Sequence, residues 1–424
     1  MGKKEKAFSP RAIEGSLAGY RVLDLADEKG ILCGKILADL GADVIAVEPP
    51  SGNRARNKGP FYHNIPHSEK SLYWFGFSNN KRGITLNLQT AAGKEIFTRL
   101  VGTAHFLIES FSPGYMASLD LSYEKLSKLN PQLIMASISP FGQSGPYKDF
   151  KGSDLIANAM GGMMHICGDV DRPPVRLSEE QAYCMAGASA AAACAIAHYY
   201  REISGEGQYI DVSMQEAMAQ PLLFPMGRWD FLHTTMKRAG AYRQHKLTPL
   251  RLIYPCKDGY VCFWIGTSNL LGPSQAELVK IMKKEGIGTD LEDIDWVKLD
   301  KDTLSQEDHD RYADLHIKYF RLHTKRELVE ELVKKRGILI GPVNDPKDLV
   351  EDEQLEARRF WEYVEHEDLN VTLKYPGCFY KTDQPSRHIR VRAPLLGEHN
   401  LEIYHDGLGL SKEDLVLLKE TGAI

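Results

Sequence analysis

A chain of 424 residues, 43% hydrophobic and 26% charged, has the make-up of a folded globular protein long enough for two or three units, each with its own core. Its net charge of -5 removes the electrostatic case for nucleic acid, because binding a phosphate backbone takes clustered surplus cations. Seven scattered cysteines, an odd number without a C-x-x-C pair, point to reduced thiols and a cytoplasmic setting.

The charged start, Met-Gly-Lys-Lys-Glu-Lys, is followed by no apolar run, so neither a signal peptide nor an anchor is expected. Tyr20–Leu25 reads as a strand, Gly34–Leu40 as a helix and Asp43–Val47 as a second strand, which together make a βαβ unit. Gly83–Leu88 alternates like a strand, with Ile84, Leu86 and Leu88 on one face. Helix over Ala91–Leu100, strand over His105–Glu109, helix over Tyr123–Leu129 and strand over Leu133–Ile138 continue the alternation. This order predicts an α/β fold with a doubly wound, Rossmann-like parallel sheet.

Beyond Gly161-Gly162 a long helix is expected from Glu180 to Ile203, then strand Tyr209–Val212 and helix Met214–Met218. Within the long helix Met185–Ala197 is the most lipid-like stretch; it is shorter than the roughly 20 residues a bilayer takes and reads as a buried helix. From Leu252 the pattern is β-rich, with a hairpin turn at Asp258-Gly259, followed by charged helices over Ser274–Arg336. Pro342–Leu349 and Leu355–Arg359 read as helix, and a further helix is expected from Asn400. The fourteen histidines are dispersed without metal-ligand spacing, so no metal site is expected. Glycine-rich phosphate loops are absent from the sequence as well.

Seven segments in order resemble the CaiB/BaiF family, the class III CoA-transferases: Leu37–Gly52, Ser71–Leu88, Ile108–Gly114, Ser137–Tyr147, Ser204–Met218, Cys256–Tyr260 and Ala393–Asn400. The resemblance implies a large α/β domain built from residues 1–224 and 331–424, a smaller α+β domain over 225–330, and an interlocked dimer. It also implies CoA thioesters and carboxylic acids as substrates, with no covalently bound cofactor. In the family an aspartate attacks the thioester, forming an anhydride and then an aspartyl-CoA thioester.

That aspartate lies four residues before a glycine of the long helix. Aligned through Gly187 and the Ser204–Gly207 segment, its position here is held by Tyr183. A phenol ionises near pH 10 and makes a poor CoA acceptor, so no residue of this chain is assigned as catalytic. Glu179, Glu180 and Cys184 are the neighbours that could substitute; acidic residues there fit the start of a helix, and a cysteine in an alanine-rich helix behaves as a small hydrophobe.

The cations that in relatives grip CoA are replaced too. Pro49 and Ser118 stand where relatives have arginines, and the usual L-D-L-K reads Leu86, Asn87, Leu88, Gln89. By the same resemblance Lys29, Gly30, Leu86, Gln89, Ser110, Phe111 and Ser112 mark a vestigial CoA site. Lys81, Arg82, Arg54 and Arg56 remain as cations that could hold CoA instead, beside the ordinary reading of such residues as solvated surface charge. Relatives that racemise acyl-CoA have histidine before an aspartate where this chain has Ser153-Asp154, which removes that activity. The implied partner is a homologous subunit that carries the aspartate; a homodimer with an unrecognised nucleophile and a non-enzymatic acyl-CoA-binding scaffold are the alternatives. No nucleic acid or membrane partner is expected.

Overall fold

The computed structural model describes residues 14–245, 248–300, 304–381 and 389–424. Two compact units divide the chain. The larger comprises residues up to Met163, Arg176–Thr234 and Leu355–Ile424, and the smaller comprises Met164–Val175 and Thr235–Gln354.

The larger unit is built on a six-stranded sheet: β1 (Arg21–Asp24), β2 (Asp43–Glu48), β3 (Arg82–Thr85), β4 (Phe106–Glu109), β5 (Ile134–Ser139) and β6 (Tyr209–Ser213). The order is β3-β2-β1-β4-β5-β6 and every pairing is parallel. This is the doubly wound arrangement expected from the βα alternation. Parallel strands covered on both faces are apolar throughout, and β4 is buried at all four positions.

Helices α1 (Ile31–Asp39), α2 (Leu72–Ser78), α3 (Ala91–Val101), α4 (Tyr123–Leu129), α5 (Asp154–Met160) and α6 (Gln181–Ser204) follow in the same unit, with α7 (Met214–Ala219) and α8 (Leu223–Leu232) after β6. Helix α6 packs on α1 so closely that a Cβ on Gly187 would lie 2.9 Å from Leu32 Cβ. The stretch Met185–Ala197 is not buried all round. Ala186, Ala190, Ala191, Cys194 and Ala197 face the core, whereas Ile196 is 71% exposed, because a helix laid on a sheet buries one stripe only.

In the smaller unit β7 (Ile253–Cys256) and β8 (Gly259–Phe263) form the expected hairpin. Helices α9 (Ser268–Lys284) and α10 (Gln306–Phe320) supply Leu278, Met282, Tyr319 and Phe320 to its core. Residues 331–354, assigned from sequence to the large domain, belong to this unit instead. The reason is β9 (Ile340–Pro342), which pairs with β8 through Phe263↔Ile340 and Val261↔Pro342, while Leu332, Ile338 and Ile340 enter the same core.

The chain then returns to the larger unit with a hairpin unannounced by the sequence reading, β10 (Trp361–His366) and β11 (Val371–Pro376), and ends in α11 (Lys412–Glu420). The open edge of β3 would present unpaired backbone, and the returning segment covers it. Gly83 N–H donates to His399 Nδ1 (3.1 Å), Thr85 N–H to Asn400 Oδ1 (2.9 Å), and the Tyr404 hydroxyl donates to the Thr85 carbonyl (2.7 Å). The expected strand Gly83–Leu88 therefore stops at Thr85; Leu86 and Leu88 stay buried beyond it. Among the described residues no helix is long and apolar enough to cross a membrane.

Candidate active site

In a doubly wound sheet the loops after β1 and β4 diverge at the carboxyl edge, where the strand order reverses, and leave a crevice. A cavity of about 390 Å³ opens there in this chain. Lys29, Leu86, Gln89, Phe111 and Ser112, all named from sequence, line it together with Asp27, Pro49, Arg54 and Tyr115.

Gly30 and Ser110 stand just behind the lining. The Ser110 hydroxyl accepts from Asp27 N–H (2.9 Å) and donates to Asp27 Oδ1 (2.7 Å), which ties the β1 loop to the β4 loop. A Cβ on Gly30 would approach Ile138 Cδ1 to 2.8 Å and Ala26 Cβ to 3.2 Å, so a side chain there would have to push these neighbours aside. Ser118 is not among the lining residues; its hydroxyl bonds the Tyr115 carbonyl (2.7 Å).

Of the four remaining cations, three are committed inside the protein. Lys81 pairs with Asp24 (2.9 Å), Arg82 with Asp43 (2.6 Å) and Glu402 (2.9 Å), and Arg56 with Glu48 (2.6 Å) and Glu69 (2.7 Å). Lys81 and Arg56 side chains are 1% exposed, so neither is the solvated surface charge that the sequence suggests. Arg54 alone of the four lines the cavity, alongside Lys29, whose ammonium is paired with Asp27. A larger cavity, about 540 Å³, lies between β3 and the β10–β11 hairpin, but of the cations on its wall Lys81, Arg82 and Arg392 pair with internal carboxylates and Arg390 donates to the Ala38 carbonyl (2.7 Å). The smaller cavity is therefore the better seat for a ligand.

Tyr183 does not line this cavity. It lies in the first turn of α6, 8% exposed. Asp154 caps that turn: its Oδ1 accepts from Ala182 N–H (2.7 Å) and Tyr183 N–H (3.4 Å), while Oδ2 accepts from Asn158 Nδ2 (3.0 Å). Burial, and then the negative charges of Glu28, Glu180 and Asp154, push the Tyr183 phenol up to about 12. At neutral pH its ionised fraction is on the order of one in 10⁵, and a neutral phenol is no thioester acceptor.

The niche beside Tyr183 is filled by groups from separate parts of the sequence. Lys58 forms an ion pair with Glu180 and lies 4.4 Å from the Tyr73 ring centroid. The Tyr73 hydroxyl points to the Glu28 carbonyl (3.5 Å), and burial followed by Glu180 holds that phenol well above its ordinary value. Glu28 Oε2 and Glu180 Oε2 are buried with no hydrogen-bond donor among the described residues. The Cys184 thiol is pushed up by burial and then by Glu180 and Asp154, the opposite of what an activated nucleophile needs. Sequence reasoning flagged Glu180 and Cys184 but not Glu28, Lys58, Tyr73 or the capping role of Asp154; a helix beginning at Gln181 without its own capping side chain is the signal that something distant must cap it.

Two residues before the lining residue Phe111 lies Glu109, 4% exposed at the end of β4. Its Oε2 accepts from Phe111 N–H (2.7 Å), but burial dominates and raises the carboxyl to about 7, with Asp27 adding to the shift and Lys29 opposing it. The folded state thus holds a proton that the unfolded chain releases near pH 4.5. Stability from this group is full below that pH and is lost as pH rises toward 7, by roughly 3 kcal/mol in all. Urea unfolding at pH 5 and pH 8 should show that decline, and Glu109→Gln, which keeps an acceptor for Phe111, should flatten it and gain stability at pH 8. An unchanged slope in the variant would assign the decline to other groups.

The family model described as CoA-transferase family III matches residues 17–400. The chain is 34% identical over 391 residues to the succinyl-CoA:(R)-benzylsuccinate CoA-transferase subunit BbsE of Thauera aromatica, covering 91% of this chain and 92% of that one. It is 30% identical over 405 residues to the succinyl-CoA–D-citramalate CoA-transferase of Chloroflexus aurantiacus, covering 95% and 96%. The crystal structure of a CaiB/BaiF family protein from Brucella suis is similar with a TM-score of 0.80 at 28% identity, covering 93% of this chain and 99% of that one.

Proposed function

Because this chain belongs to CoA-transferase family III, we propose that it is the non-catalytic subunit of a hetero-oligomeric CoA-transferase whose acceptor carboxylate sits on a homologous, aspartate-bearing chain. The complex moves CoA from an acyl-CoA to a free carboxylic acid in the cytoplasm. The likeness to BbsE favours succinyl-CoA as donor and benzylsuccinate as acceptor, a step of anaerobic aromatic breakdown. On the partner, an aspartate oxygen attacks the thioester carbonyl and expels CoA thiolate; the thiolate then attacks the aspartyl carbonyl of the anhydride, freeing the first acid and leaving aspartyl-CoA.

What carries this reading is the burial of Tyr183, which pushes its phenol up to about 12, at the position that the resemblance assigns to the family's aspartate. The cavity with Lys29, Gly30, Leu86, Gln89, Ser110, Phe111 and Ser112 on or behind its wall is read as a vestigial CoA site, in which Arg54 is the cation without an ion pair among the described residues. Exposed apolar faces support assembly with the partner as an interlocked pair. Tyr199 and Ile203 on α6 are each 71% exposed, and Phe224 and Phe231 on α8 are 73% and 87% exposed. Side chains of this size in such numbers mark surfaces that another chain covers.

The test is transfer of CoA from succinyl-CoA to benzylsuccinate by this chain alone, by its aspartate-bearing homologue alone and by the two co-purified. Turnover is expected only in the mixture. Turnover by this chain alone would reveal a nucleophile among its own residues, and none in any sample would leave a binding scaffold.

A further inference from the structure

We infer that Asn87 is a positioning residue that couples the C-terminal turn, residues 421–424, to the rim of the cavity at Leu86–Gln89; its bearing on ligand rests on reading that cavity as a CoA site. The backbone N–H of Asn87 donates to the Ala423 carbonyl (2.8 Å), extending past the end of β3 the edge contacts that His399, Asn400 and Tyr404 make with it. The side chain closes the link. Its Oδ1 accepts from Gln89 N–H (3.0 Å) and its Nδ2 donates to the Gly422 carbonyl (3.2 Å). The first bond fixes which way the amide faces, since only the oxygen can accept from Gln89, and the nitrogen is thereby turned to Gly422. The Asn87 carbonyl in turn accepts from the Thr90 backbone N–H (3.2 Å) and hydroxyl (2.9 Å) at the start of α3.

All four polar groups of Asn87 are thus used, and they join three things: the C-terminal turn, the first turn of α3, and the loop whose Leu86, Leu88 and Gln89, together with Asn87 itself, line the cavity. The far end of the link is firmly held. Ala423 is 1% exposed, and Ile424 packs on the hydrophobic cluster that contains Leu86 and Leu88. The amide nitrogen makes the second half of the link: a carboxylate, the residue type that the L-D-L-K of relatives places here, could accept from Gln89 but could not donate to Gly422, and would set its charge against a carbonyl oxygen.

The test compares full-length wild type with Asn87→Asp and Asn87→Ala, using amide hydrogen exchange, calorimetric titration with CoA and thermal melting. In Asn87→Asp exchange should quicken by about tenfold at residues 86–89 and 421–424 together, with the melting temperature nearly unchanged. Asn87→Ala, which also loses the bond from Gln89 and puts no charge on the cavity wall, should exceed Asn87→Asp at 86–89 and weaken CoA by about tenfold. Exchange unaltered in Asn87→Asp, or altered exchange with CoA affinity intact, overturns the inference. A wild type that binds no CoA sinks the reading of the cavity, and the exchange result then decides the coupling by itself.

Discussion

Tyr183→Asp is expected to leave the isolated chain without a covalent CoA adduct when it is incubated with succinyl-CoA, although it installs the residue type that the reaction uses. A new carboxylate there would join Asp154, Glu28 and Glu180, whose charges already raise the Tyr183 phenol, and two of those groups have buried oxygens with no donor. It would ionise reluctantly and face repulsion rather than the donors that stabilise a developing oxyanion. The CoA phosphates would find Arg54 and a Lys29 already paired with Asp27, where each missing charged hydrogen bond costs about 1.5–3 kcal/mol.

Stability separates the causes. Losing a buried ring costs about 3 kcal/mol, and a carboxylate in the first turn of α6 recovers at most about 1 kcal/mol from the helix dipole. Tyr183→Asp should therefore melt several degrees lower while Tyr183→Phe, which keeps the ring, melts close to wild type. Intact-mass measurement of the variant decides the point: a species heavier by the mass of a CoA thioester would show a working acceptor niche and sink the non-catalytic reading.

The large sheet was legible because its strands are short apolar runs separated by amphipathic helices, and because parallel pairing forces the crossovers that sequence order displays. Most of the cavity was legible only through the family resemblance, which marked Lys29, Leu86, Phe111 and Ser112; in the fold these line the crevice at the strand ends. The plug beside Tyr183 was not legible. Glu28, Lys58, Tyr73 and Glu180 come from four separate segments, and nothing local to any of them signals the others.

Charge pattern misled at Lys81, Arg82 and Arg56, since a cation next to polar residues looks solvated until its carboxylate partner, dozens of positions away, is folded against it. Residues 331–354 went to the wrong unit because β9 is three residues long, too short for a period to register. The β10–β11 hairpin does alternate, with Val364 and His366 buried and Tyr363 and Glu365 exposed, but its connection lacks the Asn-Gly or Asp-Gly signature that marks a tight turn.

Asp43→Asn should be the most destabilising single change outside the site. Asp43, 1% exposed at the start of β2, accepts from the Arg21 guanidinium at the start of β1 (3.1 Å) and from Arg82 at the start of β3 (2.6 Å), so one carboxylate neutralises two cations across three adjacent strands. Burial lowers Arg21 from its ordinary value, against the pull of Asp43, which marks how strongly the guanidinium depends on that charge. Arg82 has Glu402 as a second partner, and Arg21 also donates to the Thr103 hydroxyl (2.9 Å). Removing the shared charge should cost about 3–5 kcal/mol, the range for breaking a buried pair from one side. The desolvation of three ions is itself expensive, so replacing Arg21, Asp43 and Arg82 together by Met, Leu and Met should cost less than Asp43→Asn alone. Urea unfolding reads both: a lowered midpoint at constant m for Asp43→Asn, partly recovered in the triple variant. A triple variant less stable than the single one would mean that the network stabilises the sheet beyond what its burial costs.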